Sequence, residues 1–133
     1  MKKITFIIMA TLCLLCGSTV NSANAQAKKD PCAGAQTQAD MNECQGREYK
    51  KADAALNAVY KQLTAKIQEE AGELAALKAA QQAWIKFRDA DCEFESYQNK
   101  GGTIYPLVYS GCLTTLTQAR TKQLREMLND RSH

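Results

Sequence analysis

Residues 81–92, QQAWIKFRDADC, are the stretch of sequence that decides the fold. Gln81, Trp84, Arg88 and Cys92 follow one another at steps of three and four, so they share one face of a helix. The stretch therefore predicts a helix that presents a tryptophan, a cysteine and two polar side chains to its neighbours.

Helical patterns continue on the N-terminal side of this stretch. No proline or glycine interrupts residues 73–97, which form the expected second helix. The first helix is predicted to run from Thr37, which forms a capping-box pattern with Asp40, to about Glu70. We expect Gly72 to end this first helix in a left-handed conformation.

On the C-terminal side, residues 99–108 are expected to form a glycine-rich loop. A third helix is predicted from Val108 or Ser110 to Asn129, with its own apolar stripe. No useful length of sequence alternates apolar and polar residues, so no sheet is expected. The fold class predicted is all-α, a small antiparallel three-helix bundle with long first and second helices.

The beginning of the chain has the features of a signal peptide. Lys2 and Lys3 precede an apolar run, and an Ala-Asn-Ala motif ending at Ala25 suits cleavage. We therefore predict a signal peptide at residues 1–25 and one helical domain at residues 26–133, located in the periplasm or secreted. The apolar run is too short for stable membrane insertion.

The charge and composition of the remaining chain restrict its function. Without Lys2 and Lys3 it has 15 basic and 14 acidic residues, a net charge of +1. A charge so close to zero argues against a nucleic-acid partner, because phosphate binding needs a strong basic field. The single histidine is His133, and no Ser–His pairing or phosphate-binding glycine loop is evident. We expect no enzyme, no cofactor and no metal; a hydrolase using Asp53 is the remaining enzymatic alternative.

Four cysteines follow the predicted signal peptide: Cys32, Cys44, Cys92 and Cys112. An even number in an exported domain indicates disulfides, and the spacing contains no C-x-x-C pair that would favour zinc. In an up-down-up bundle the last three cysteines lie near one end. We therefore favour the pairs Cys32–Cys44 and Cys92–Cys112, while crossed pairings such as Cys44–Cys92 stay open.

The order of these pieces resembles the LprI-like lysozyme-inhibitor domain, a family of exported bacterial proteins. The matching pieces cover almost all of the predicted mature chain. They are Cys32 with TQADMNEC at 37–44, residues 52–57 with Tyr60, the Q-x-x-W-x-x-x-R-x-x-x-C run at 81–92, Gly101-Gly102-Thr103 to Cys112, Leu116-Thr117 and Arg120. The resemblance implies an exported cell-envelope binding protein with a protein partner, lysozyme, and it supplies no catalytic residues. The alternative is a structural or accessory envelope module with a different partner.

One group of side chains is expected to form a structural polar network inside the bundle, because buried polar groups need partners. Its members are Asp53, Asn57, Gln81, Trp84, Arg88 and Arg120. Asp53, Glu48 and Asp91 are the expected partners of Arg88. The functional alternative makes the face from Gln81 to Cys92 a recognition site.

A second group is the candidate partner-binding surface at the disulfide end of the bundle. Its members are Asp89, Asp91, Glu93, Glu95, Ile104 and Tyr105. A negative patch would suit the basic lysozymes of animal hosts, and aromatic residues on loops are common anchors of interfaces. The alternatives are a solvated acidic face, and packing of Ile104 and Tyr105 over the end of the bundle.

Overall fold

The computed structural model describes residues 30–131. These residues form three α-helices and a short 3₁₀ turn: α1 (Gln38–Lys66), α2 (Ala71–Ser96), the turn Tyr97–Asn99, and α3 (Tyr105–Asp130). No strand occurs within the described range, so the predicted all-α three-helix fold is confirmed. The predicted signal peptide and its cleavage site near Ala25 lie outside the described residues.

The helices run up, down and up, with α3 packed most closely against α1. Gln45, near the start of α1, donates Nε2 to the Thr114 hydroxyl in the first half of α3 at 3.1 Å. Leu63, near the end of α1, packs with Leu124 in the second half of α3, so these two helices run parallel. α2 is antiparallel to both and packs on α3. Leu56, Leu63 and Leu124 are almost completely buried at the centre of the core.

The predicted capping box begins α1. The Thr37 hydroxyl accepts a hydrogen bond from the Asp40 N–H at 3.1 Å, and an Asp40 carboxylate oxygen accepts one from the Thr37 N–H at 3.1 Å. These two bonds satisfy backbone donors that the first turn of a helix leaves without intrahelical partners.

The predicted end of α1 was wrong. The helix ends at Lys66, and the chain turns directly after Ile67, whose side chain is buried against the core. Gly72 lies in the first turn of α2 and does not have a positive φ. A turn redirects the chain at this point, because the Glu70 N–H donates to the Ile67 carbonyl oxygen at 3.0 Å, and no left-handed glycine is needed.

The third helix begins earlier than predicted, at Tyr105, because Pro106 belongs to its first turn. A proline lacks the N–H that a first turn leaves unpaired in any case, so it is compatible with a helix start. The connecting loop is correspondingly short. Gly101 has a φ of 83°, a backbone conformation that side chains disfavour, and it lets the chain reverse between α2 and α3.

Candidate functional site

Two disulfides hold one end of the bundle. Cys32 is bonded to Cys44 and Cys92 to Cys112, with Cα–Cα distances of 5.8 and 5.5 Å. The favoured pairing is therefore confirmed, and the crossed alternative is excluded. The first bond ties the segment before α1 to its second turn, and the second joins the last turns of α2 to the start of α3.

A polar cluster fastens the start of α3 to the end of α2. The Tyr105 hydroxyl donates a hydrogen bond to a Glu93 carboxylate oxygen at 2.6 Å, and Lys100 forms an ion pair with the same carboxylate. Lys100 and then Tyr105 lower the pKa of Glu93, because both stabilise its ionised form. The Tyr105 ring also stacks on Tyr109, with 5.7 Å between centroids. Tyr105 and Glu93 are thus engaged within the chain.

The other three acidic residues of the predicted surface differ in whether a cation of the chain pairs with them. Asp89 accepts hydrogen bonds from Arg88, at 2.9 Å from Nε and 2.8 Å from Nη2. Glu95 is exposed and Asp91 is half-buried, and neither forms an ion pair within the described residues. Asp91 and Glu95 are therefore the two of these four carboxylates that no cation pairs with among residues 30–131.

Two exposed aromatic residues that were not predicted lie on the same last turns of α2 and directly after it. Phe94 is 81% exposed and Tyr97 is 64% exposed, with Ile104 of the loop also exposed nearby along the chain. The missed signal was their position outside the stripe that continues to Cys92. A large apolar residue outside the buried face of a helix must meet either solvent or a partner.

The six side chains predicted to form a polar network are brought into one continuous chain of contacts. Asn57 donates Nδ2 to Asp53 at 2.9 Å, and Asp53 lies 3.8 Å from Arg88 Nη1. The guanidinium carbon of Arg88 lies 5.2 Å from the centroid of Trp84. The same guanidinium carbon lies 5.7 Å from the ring centroid of Tyr49 in α1, a residue that was not predicted as a member.

The chain of contacts continues beyond Trp84 through a second arginine. The guanidinium carbon of Arg120 lies 5.9 Å from the centroid of Trp84, and its Nε donates to Gln81 Oε1 at 3.0 Å. Its Nη1 donates to Gln123 Oε1 at 2.6 Å. Trp84 is thus contacted by two cations, Arg88 and Arg120. Gln123 is a partner of Arg120 that the sequence did not predict. Asp53 pairs with Arg88, and the expected alternatives Glu48 and Asp91 do not.

Residues 30–131 contain neither a candidate metal cluster nor a candidate membrane-spanning helix. In residues 30–131, no three His, Cys, Asp or Glu side chains are grouped so that they could hold a metal ion. Over the same range, no helix is both long and apolar enough to cross a bilayer.

Comparisons with known proteins identify a family from the sequence and a shared fold from the structure. Residues 29–124 match the model of the family described as "Lysozyme inhibitor LprI". An uncharacterized protein of Rhizobium meliloti (strain 1021) is 40% identical over 117 residues, covering 80% of this chain and 84% of the relative. The crystal structure of a DUF1311 family protein from Pseudomonas putida KT2440 superposes with a TM-score of 0.63 and 23% identity, covering 71% of this chain and 95% of that one. The structural likeness shows the shared fold.

Proposed function

The chain belongs to the LprI lysozyme inhibitor family, and on this premise we propose that it is an exported cell-envelope protein that binds and inhibits a lysozyme. Inhibition needs no reacting group on the inhibitor. It needs a rigid surface that covers or enters the cleft of the enzyme and buries enough area, typically about 800 Å² on each partner.

The observation that carries the proposal is the exposed pair Phe94 and Tyr97 beside two carboxylates without an internal cation, Asp91 and Glu95. A few side chains supply most of the binding energy in protein interfaces, and aromatic residues that become buried at the centre of the contact are common among them. We name Asp91, Phe94, Glu95, Tyr97 and Ile104 the aromatic end of the bundle.

Rigidity of the aromatic end supports the proposal further. Cys92–Cys112 holds the last turns of α2 covalently, and the hydrogen bond between Tyr105 and Glu93 holds the start of α3 against them. A surface that is already ordered loses less conformational entropy on binding, so more of its contact energy appears as affinity.

The charges of the aromatic end suit a basic partner. Carboxylates at the edge of an interface mainly increase the association rate with a cationic protein, and salt screens this effect. Basic lysozymes therefore fit this surface better than acidic proteins do.

The direct test is lysis of cell-wall substrate by a lysozyme, with increasing amounts of the purified protein. Phe94→Ala should weaken inhibition by about 30-fold, the value for a hot-spot side chain worth about 2 kcal/mol. Ile85→Ala is the control, because this exposed apolar side chain lies nine residues earlier on the same helix, on the side opposite Phe94. It should inhibit as the wild type does.

A charge variant tests the electrostatic part separately. Asp91→Lys combined with Glu95→Lys should weaken inhibition and reduce its dependence on salt. Glu126→Lys changes an exposed carboxylate of α3 and should do neither. The lysozyme proposal would be rejected if a micromolar excess of the protein inhibited neither a chicken-type nor a goose-type lysozyme. Capture of another envelope protein that requires Phe94 would then favour the accessory module.

A further inference from the structure

An apolar cleft of about 270 Å³ opens between the three helices, at the opposite end of the bundle from the disulfides. Its walls are formed by Leu63 of α1, Ile67 directly after α1, Leu77 of α2 and Met127 of α3. Two alanines of α2, Ala76 and Ala80, border it, and their small side chains leave it open to solvent. Arg120 is the buried charged group in its lining.

The two arginines that contact Trp84 differ in how their buried charges are compensated. Arg88 and Arg120 are 7% and 8% exposed, so both cations have lost most of their hydration. Arg88 is compensated by Asp53 and Asp89. Arg120 contacts amide oxygens and a ring, and no carboxylate among the described residues pairs with it.

A buried cation without an anion is costly, because neutral partners replace only part of its hydration. Burial accordingly lowers the pKa of Arg120 from its usual value. The second arginine of the cleft, Arg131, differs because it is half-exposed and forms an ion pair with Glu73. Arg120 is therefore the group in the lining that an incoming anion would compensate.

We propose that this cleft binds a small amphiphile, a short acyl chain that ends in a carboxylate. The carboxylate would pair with the guanidinium of Arg120, and the chain would lie against Leu63, Leu77 and Met127. The volume is slightly below the 300–1,000 Å³ usual for ligand pockets, so the cleft selects a short chain. The proposal concerns a different surface from the aromatic end and does not depend on lysozyme inhibition.

The probe is octanoate, used below its micellar concentration, and the signal is tryptophan fluorescence. Trp84 is the single tryptophan of the chain and contacts Arg120, so its emission reports on this cleft. Octanoate should produce a saturable change in emission. Octanol, which has the same chain without the charge, should bind at least tenfold more weakly, and acetate should produce no saturable change.

Two variants test separately the charge of Arg120 and the free volume of the cleft. Arg120→Gln should abolish octanoate binding. Arg120 also contributes to packing, so a second variant is needed. Ala80 is exposed and borders the cleft, and the larger side chain of Ala80→Leu would fill it. Ala80→Leu should abolish octanoate binding while the helical content stays unchanged. Ala83→Leu, exposed on the same helix outside the lining, is the control and should bind octanoate as the wild type does.

Several outcomes would overturn the proposal. These are the absence of a saturable signal with octanoate, equal affinity for octanol, or unchanged binding by Ala80→Leu. Phe94→Ala should bind octanoate normally whatever its effect on lysozyme, which keeps failure of this proposal distinguishable from failure of the proposed function.

Discussion

The guanidinium carbon of Arg88 lies 5.2 Å from the centroid of the Trp84 ring, one turn earlier on α2. Tyr49 of α1 approaches the same guanidinium at 5.7 Å, so aromatic rings from two helices contact one cation. The negative faces of the rings and the carboxylate of Asp89 together replace the water that Arg88 has lost. A charged side chain can therefore join α1 to α2 inside the bundle.

Arg88→Ala should lower the free energy of unfolding by about 2 kcal/mol, less than for a fully buried pair, because Asp53 and Asp89 keep partial access to water. Urea denaturation measures this. The control is Arg47→Ala, which removes an exposed pair with Glu43 and should cost less than about 0.5 kcal/mol. Equal losses for the two variants would contradict the role of Arg88.

The same contacts show how far the sequence alone could lead. Steps of three and four correctly placed Gln81, Trp84, Arg88 and Cys92 on one buried face of a helix. They could not identify partners, because contacts between helices depend on rotation and register that no local pattern contains. Tyr49 was missed for this reason, since it is distant in sequence and meets Arg88 only after the helices pack.

Boundaries and surfaces were harder to predict, for physical reasons that differ. Pro106 was assigned to a loop, although its missing N–H suits the first turn of α3 equally well. The acidic run was predicted as one negatively charged patch. In the structure, however, Lys100 pairs with the Glu93 carboxylate and the Tyr105 hydroxyl donates to it. Charge in a sequence does not reveal which groups neutralise one another.

The two disulfides should contribute differently to stability. Each closes a loop for which the chain-entropy model predicts about 3 kcal/mol. Cys92 and Cys112 are also buried between α2 and α3, whereas Cys32 is partly exposed before α1. Cys92→Ala with Cys112→Ala should therefore lower the melting temperature more than Cys32→Ala with Cys44→Ala, as measured by thermal denaturation. The reverse order would indicate that the segment before α1 contributes more to the bundle than its exposure suggests.

Acid should weaken the contact between Glu93 and its two donors. Lys100 and Tyr105 hold the pKa of Glu93 below its value in the unfolded chain. Its contribution to stability is therefore present above the ordinary glutamate pKa of about 4.3 and is lost as the pH falls through the folded pKa. The difference in unfolding free energy between the wild type and Glu93→Gln should shrink below about pH 4.3.

Denaturation in urea at a series of pH values measures this difference. Tyr105→Phe removes one donor and should reduce the same acid-dependent contribution in part. Tyr109→Phe keeps the stacked rings and leaves the Glu93 contacts intact, so it should retain the pH dependence of the wild type. A difference between the wild type and Glu93→Gln that stays constant across this range would contradict the assignment.

Thr117 is completely buried in α3, and its hydroxyl has no hydrogen-bond partner among the described residues. The hydroxyls of Thr114 and Thr121, by contrast, each donate a hydrogen bond to the carbonyl oxygen four residues earlier.

Burying a hydroxyl without a partner costs about 1–3 kcal/mol, and valine has nearly the same shape as threonine. Thr117→Val should therefore raise the free energy of unfolding by about 1 kcal/mol, whereas Thr121→Val, which breaks an existing bond, should lower it by about 1 kcal/mol. Urea denaturation distinguishes the two, and a destabilised Thr117→Val would mean that the hydroxyl has a partner in solution.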